Sequence, residues 1–389
     1  MLNEPIISAT VLFALLAFGE ILSTLTKARI PMLLTAMISF LLLKWAGILP
    51  ASILKSAILP SLGAIAIAPA IMHMGTMMPL STLKKQWKAV IISFSGIIGS
   101  TFFILTIVTF VFDFRTAASG VGPIAGGLVA LLITIDKLKE LHLEYLIVLP
   151  ALVQGLQAVI GLPLSSLFMK RYGEYYLEHN FRNTNSVKNT INDNENKNSF
   201  HTRFPILQNN ILRLFIMFFL ATIAFIIGNY THIHYSLICL FFGILGFKFG
   251  LFEQAELEHN KSFTILVVSI MLIVIGSLGN VTPKDLFENL PAIALILFIG
   301  AMGILIGGSI AARIVGWKYT KALPVALTAL YGFPGDYLLC VEVSRSVANN
   351  EEEQEALFKE LLSPMLIGGF TTVTIASVIL TGIIMNFMH

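Results

Sequence analysis

The chain is a succession of apolar runs, at about 6–25, 30–48, 57–79, 88–112, 116–135, 143–169, 211–229, 233–252, 261–280, 289–315, 322–343 and 362–388. About 18 apolar residues in a helix suffice to cross a hydrocarbon core of ~30 Å, and every run reaches that length. Charge is correspondingly scarce. Only 12% of residues are Asp, Glu, Lys or Arg, against about 25% in a soluble domain, and mean hydropathy is +0.84. An all-α integral membrane protein is the expected fold class. The N-terminal stretch "MLNEPIIS" carries Glu4 and no basic residue, unlike the basic start of a secretory signal, so the first run is expected to be retained. Cys239 and Cys340 lie in apolar runs without metal-ligand spacing and read as buried small hydrophobes.

A polar stretch, residues 170–210, separates the first six runs (1–169) from the last six (211–389). It contains the Asn-rich "NTNSVKNTINDNENKNS" and reads as a flexible linker. The two halves look like copies. Gly19 matches Gly228, Gly75 matches Gly276, Gly96 and Gly99 match Gly300 and Gly303, and Gly122 matches Gly332, at offsets of 209, 201, 204 and 210 residues. Near-constant offsets in one order point to an internal repeat.

Both halves interrupt their fifth run with helix breakers: "SGVGPIAGG" supplies Gly122, Pro123, Gly126 and Gly127, and "LYGFPGD" supplies Gly332, Pro334 and Gly335, followed by Asp336. Corresponding interruptions in two halves point to a transporter binding site. Suppose each interrupted run dips into the bilayer and returns. Each half then has five crossings, an odd number, and the halves are inverted. With the N-terminus outside, all of the 25 Lys and Arg residues except Lys44, Lys55, Arg115, Lys137, Lys139 and Lys284 fall on the inner side, as the positive-inside bias requires. Two inverted repeats of five transmembrane helices, each with a re-entrant hairpin, are therefore expected in a bacterial inner or plasma membrane, with both termini outside.

Non-helical backbone persists at membrane depth only when buried in protein or lining an aqueous cavity. A broken helix exposes N–H groups at one stub, which favour anions, and C=O groups at the other, which favour cations. The glycines and prolines at the breaks are thus the candidate substrate-binding positions. Asp336, a carboxylate at membrane depth, is the candidate ion-coupling residue. Gln154, Gln157, Thr371, Thr372 and Thr374 place polar groups in the helices that follow the two breaks. Gln154, Thr371 and Thr372 are assigned to substrate and Thr374 to ion coupling. Glu20 is expected to find an interhelical partner, and Glu342 and Arg345, one turn apart, are expected to pair. "MHMGTMM" reads as gap-filling methionine, and the acidic run 349–360 as a solvated helix.

In layout the chain resembles the sodium/glutamate symporters and the 2-hydroxycarboxylate (citrate) symporters: two five-helix inverted repeats, a hairpin before the last helix of each, and a variable central linker. Those families carry GGxG at their tips where this chain has "GPIAGG" and "GFPGD". The resemblance implies an elevator-type secondary transporter built as a homodimer, with a small anionic substrate such as an amino acid or carboxylate and coupling to Na+ or H+. A cation/proton antiporter using Asp336 is the alternative, and a passive channel the third reading. No nucleotide-binding loop, zinc-ligand pattern or nucleophile motif is present. Neither an enzyme, a resident cofactor or metal, nor a nucleic-acid partner is expected. The partners are the substrate and the lipid bilayer.

Overall fold

A computed structural model describes residues 2–50, 52–77, 86–182, 209–231 and 235–388; side chains 128, 144, 181, 182, 280, 374 and 375 lie outside this description. Every described regular element is helical. Seven helices are long and apolar enough to cross a membrane, and three shorter ones are apolar, so the chain is a multi-pass membrane protein in kind.

The chain forms two compact units. The first combines Met1–Ala57, Gln86–Phe181 and Val274–His389; the second combines Ile58–Lys85 and Arg182–Ile273. Neither coincides with a sequence half.

The first unit contains α1 (Pro5–Leu25), α2 (Met32–Trp45), α4 (Trp87–Phe103), α5 (Phe114–Ala125), α6 (Leu128–Glu140), α7 (Val148–Leu177), α11 (Pro283–Val315), α12 (Tyr319–Leu327), α13 (Gly335–Val347), α14 (Glu351–Phe370) and α15 (Ser377–Asn386). Local chemistry sets several starts. The Asp113 side chain accepts from Thr116 N–H at 2.8 Å to open α5. Asn350 accepts from Glu353 N–H at 2.8 Å while Glu353 accepts from Asn349 N–H at 2.9 Å, a reciprocal cap that opens α14. That cap explains why the acidic run becomes the first turns of α14.

The unit is centred on the crossing of α4 and α11, its most extensive helix pair. Gly99 faces the carbonyl of Gly303, and a methyl on Gly303 would lie 2.5 Å from the Ser100 Cα. Only glycine lets two backbones approach this closely. The opposite face of α11 leaves Phe298, Met302, Ile306, Ile310 and Ile314 exposed at four-residue spacing, an apolar stripe suited to lipid.

The structure revises the start of the linker. Helix α7 continues through Leu177 into a π-helical turn, Glu178–Arg182. Packing explains the extension: Tyr172 is buried with its hydroxyl donating to Glu360 at 2.7 Å, and Gly173 abuts Leu357 of α14. The Asn-rich remainder lies outside the described residues.

The second unit holds α3 (Leu59–Thr76), α8 (Asn210–Thr231), α9 (Tyr235–Lys248) and α10 (Phe263–Ser277) through Ile273. Helices α3 and α9 cross with Gly75 and Gly243 in mutual contact. Met72 and Met74 are fully buried, as gap-filling side chains are; Met78 lies outside the described residues. His73 Nδ1 accepts from Leu257 N–H at 3.1 Å, beside a buried Arg213–Glu256 pair at 3.3 Å.

Candidate functional site

Within the first unit the two interruptions meet. The first falls at Gly126 and Gly127, with φ of +87° and +96°, a backbone region that L side chains rarely adopt. Gly126 N–H donates to the Pro123 carbonyl at 2.9 Å and closes α5. Helix α6 then folds back on α5 and begins without a side-chain cap at Gly127. Gly122, which the repeat aligned with Gly332, lies one turn inside α5, packed on Ala130 and Thr134 of α6. The chain turns at Gly126–Gly127, one helical turn beyond Gly122.

The second interruption spans Tyr331–Pro334 between a 3-10 turn, Thr328–Leu330, and α13. Gly332 has φ +56°, and the Phe333–Pro334 peptide is cis. Here the two arms share α7 and α14 as neighbours, while α12 alone packs on α4 and α11 and α13 alone reaches α1. The donors at the start of α13 are used internally. Asp336 N–H reaches the Gly332 carbonyl at 3.1 Å, Leu338 N–H the Pro334 carbonyl at 3.0 Å, and Tyr337 N–H the Asp336 Oδ1 at 2.7 Å.

Val373 joins the two breaks. It sits in a π-helical segment, Thr371–Ala376, between α14 and α15. A methyl on Gly126 would lie 3.1 Å from its Cγ2 and 2.5 Å from the Ala329 carbonyl, a methyl on Gly332 would lie 3.1 Å from the same Cγ2, and Gly127 abuts its carbonyl. One turn earlier on α14, Gly369 faces Asp336.

Asp336 is 0% exposed. Its Oδ2 has no hydrogen-bond partner among the described residues, and a methyl on Gly369 would lie 2.7 Å from that oxygen. The nearby hydroxyls are committed elsewhere: Thr328 Oγ1 donates to the Val325 carbonyl at 2.6 Å, and Thr372 Oγ1 to the Gly369 and Gly368 carbonyls at 2.9 and 3.0 Å. A buried, uncompensated carboxylate costs several kcal/mol unless a cation or proton joins it. Tyr331 closes one side, its hydroxyl donating to Ser165 Oγ at 2.8 Å, and Gly335 abuts its ring.

The other sequence-derived positions lie on α7 and on the π-helical segment after α14. Gln154 and Gln157 lie on the face of α7 that carries Gly161, which abuts Leu330 and Tyr331; both Oε1 atoms are buried without a partner among the described residues. Thr371 is half-buried. The Thr374 side chain lies outside the described residues. Cys340, one turn beyond Asp336, is buried, as is Cys239.

The expected Glu342–Arg345 pair is not formed. Arg345 pairs instead with Glu20 of α1, which thereby gains its interhelical partner. Buried Glu342 accepts from Ser23 Oγ and from Met32 N–H at 3.2 Å, capping α2. Both side chains reach neighbouring α1–α2 groups in preference to each other, which ties α13 to that hairpin. Sequence reasoning missed Val373, Ala329, Thr328, Tyr331, Ser165 and Gly369. The Gly368–Gly369 pair inside the last apolar run was the available signal, because adjacent small residues there mark close approach. No protein-family model matches the chain, and no curated protein matches it at a significant level.

Proposed function

We propose that the chain is an ion-coupled secondary active transporter that moves a small organic anion, such as an amino acid or carboxylate, together with Na+ or H+ by an elevator-type mechanism. One observation carries the reading: Asp336, fully buried and with one carboxylate oxygen unpartnered among the described residues, stands where two chain interruptions from different halves converge. The uncapped start of α6 at Gly127 supplies backbone donors for an anion, and Asp336 supplies the negative charge that a coupling cation or proton neutralises. Gly122, Pro123, Gly126, Gly127, Gly332, Pro334 and Gly335 shape the substrate path in this reading, with Gln154, Thr371 and Thr372 beside it and Thr374 assisting the ion.

The architecture that accompanies the reading is two inverted repeats in a homodimer, embedded in a bacterial inner membrane with both termini outside. The seven long and three shorter apolar helices supply its ten crossings, and the broken elements α5–α6 and α12–α13 supply its re-entrant segments. Gly99 and Gly303, partners in the repeat alignment, face each other, as residues beside a two-fold axis relating the halves would. Transport of this kind needs no covalent chemistry, so the reading assigns no enzymatic step.

A cation/proton antiporter is the second reading. It is favoured by the internal use of the α13 donors, which leaves Asp336 as the dominant polar feature of the junction. Uptake by purified protein in liposomes, across a grid of pH and Na+, separates the two. In a symporter, Asp336→Asn weakens apparent ion affinity more than substrate affinity at saturating ion. In an antiporter, the same substitution abolishes exchange and flattens its pH profile. Superimposable grids for wild type and variant would remove Asp336 from the mechanism, and gradient-independent conductance would make the protein a channel.

A further inference from the structure

We infer that the loop joining α1 to α2, together with the neighbouring turn of α7, binds the head group of an anionic phospholipid. The loop reverses through Lys27 and Ala28, both left-handed at φ +53° and +55°. Non-glycine residues hold that conformation only where surrounding contacts impose it. Here the contacts are visible: Ala28 N–H donates to the Ser23 carbonyl at 2.7 Å, and the Ala28 carbonyl accepts from Ser166 Oγ on α7. Ala28 is thereby buried, and Lys27 and Arg29 project into the exposed region on either side of it.

Ser166 and Lys170 stand one turn apart on α7, so the bond that anchors the loop also brings Lys170 beside it. Lys27 and Arg29 both act electrostatically on Lys170. Among the described residues, no carboxylate forms an ion pair with any of the three, and Glu20 of α1 is already paired with Arg345. The fold thus holds three like charges together with an anchored backbone, against which Glu174, one turn further along α7 from Lys170, is only a partial counter-charge with no ion pair formed among the described residues. An anion bound among them relieves that repulsion.

The surroundings select the kind of anion. Ile21 is 58% exposed, Leu25 76%, Ile30 38% and Leu167 45%, so exposed apolar side chains border the cations at the end of span-length helices. A phospholipid uses both features, with its phosphate among the cations and its acyl chains along Ile21, Leu25 and Leu167. A free phosphate would use only the cations. This inference does not depend on what, if anything, the protein transports.

Native mass spectrometry of the detergent-purified protein, with phosphatidylglycerol and phosphatidylcholine offered in equal amounts, tests it. Phosphatidylglycerol is expected to be retained preferentially, with each of Lys27→Gln, Arg29→Gln and Lys170→Gln weakening retention about fivefold. The triple variant loses the preference, whereas Lys137→Gln with Lys139→Gln, a basic pair elsewhere, leaves it intact. These side chains lie outside the core, and an unchanged melting temperature and elution profile would confirm folding. Equal retention of the two lipids, or a triple variant that keeps the preference, overturns the inference. So does displacement of phosphatidylglycerol by inorganic phosphate, which would make the cluster a free-anion site.

Discussion

Three glycines of the final helical run, Gly368, Gly369 and Gly382, meet very different surroundings, and the differences make a test of the role proposed for Asp336. A methyl on Gly368 would lie 2.8 Å from the Val325 carbonyl and 2.9 Å from Ser93 Oγ, against backbone that has little room to yield. On Gly369 the only tight contact would be Asp336 Oδ2 at 2.7 Å, with the next atoms at 3.7 Å. On Gly382 nothing lies within 4 Å. Gly368→Ala is therefore expected to destabilise the protein by about 1–3 kcal/mol through overpacking, read as a lower melting temperature. Gly369→Ala displaces a carboxylate oxygen that has no bond to lose. It is expected to leave the melting temperature within a few degrees of wild type while weakening apparent ion affinity at least tenfold in liposomes. Gly382→Ala serves as the silent control. Equal ion affinity in the Gly369 and Gly382 variants would show that the free oxygen of Asp336 does not face the coupling ion.

At the scale of the element, the α4–α11 crossing carries the heaviest constraint. Gly99→Ala or Gly303→Ala presses a methyl into backbone of the opposing helix, so each is expected to lower thermal stability by about 1–3 kcal/mol or to block folding. Gly276→Ala meets only the flexible end of Leu54 at 3.2 Å and is expected to be tolerated; fluorescence-detected chromatography after a heat step compares the three. Similar losses in all of them would mean that the close crossing is not special. Those glycines were legible in the sequence as matched pairs, and so were both interruptions, because Gly and Pro act locally on φ and on hydrogen bonding. Within "SGVGPIAGG" the helix α5 runs past Gly122 and Pro123 and ends before Gly126 and Gly127, because a helix can end after its first glycine as readily as at it. What lay beyond sequence reading depends on which helices touch. The π-helical segment at Val373 lies in an unremarkable "TTVTIA", and Arg345 chose Glu20 over the acid one turn away because α13 packs beside α1. Tyr172 likewise turned the start of the apparent linker into helix by meeting Glu360.

For the whole molecule, the decisive question is whether the interrupted segments cross the bilayer. Ten apolar helices and two broken elements permit either ten or twelve crossings, and length alone does not choose between them. Charge does. Ten crossings from an outside N-terminus leave six of the 25 basic residues outside. Twelve from an outside N-terminus would export the end of α7 and the linker beyond it, with Lys170, Arg171, Arg182, Lys188, Lys197 and Arg203, against the positive-inside bias. Twelve from inside keep the linker inside but reverse the N-terminus, so single cysteines at three places separate all the arrangements. In intact cells treated with an impermeant thiol reagent, Asn3→Cys and Thr231→Cys should be labelled, and Asn194→Cys should be shielded until the membrane is opened. Native Cys239 and Cys340 are fully buried and contribute little background. Labelling at Asn194 from outside would end the inverted-repeat arrangement. A shielded Asn3 would mean instead that both broken elements cross, placing the Gly126–Gly127 turn and Asp336 on continuous paths through the bilayer rather than on re-entrant tips.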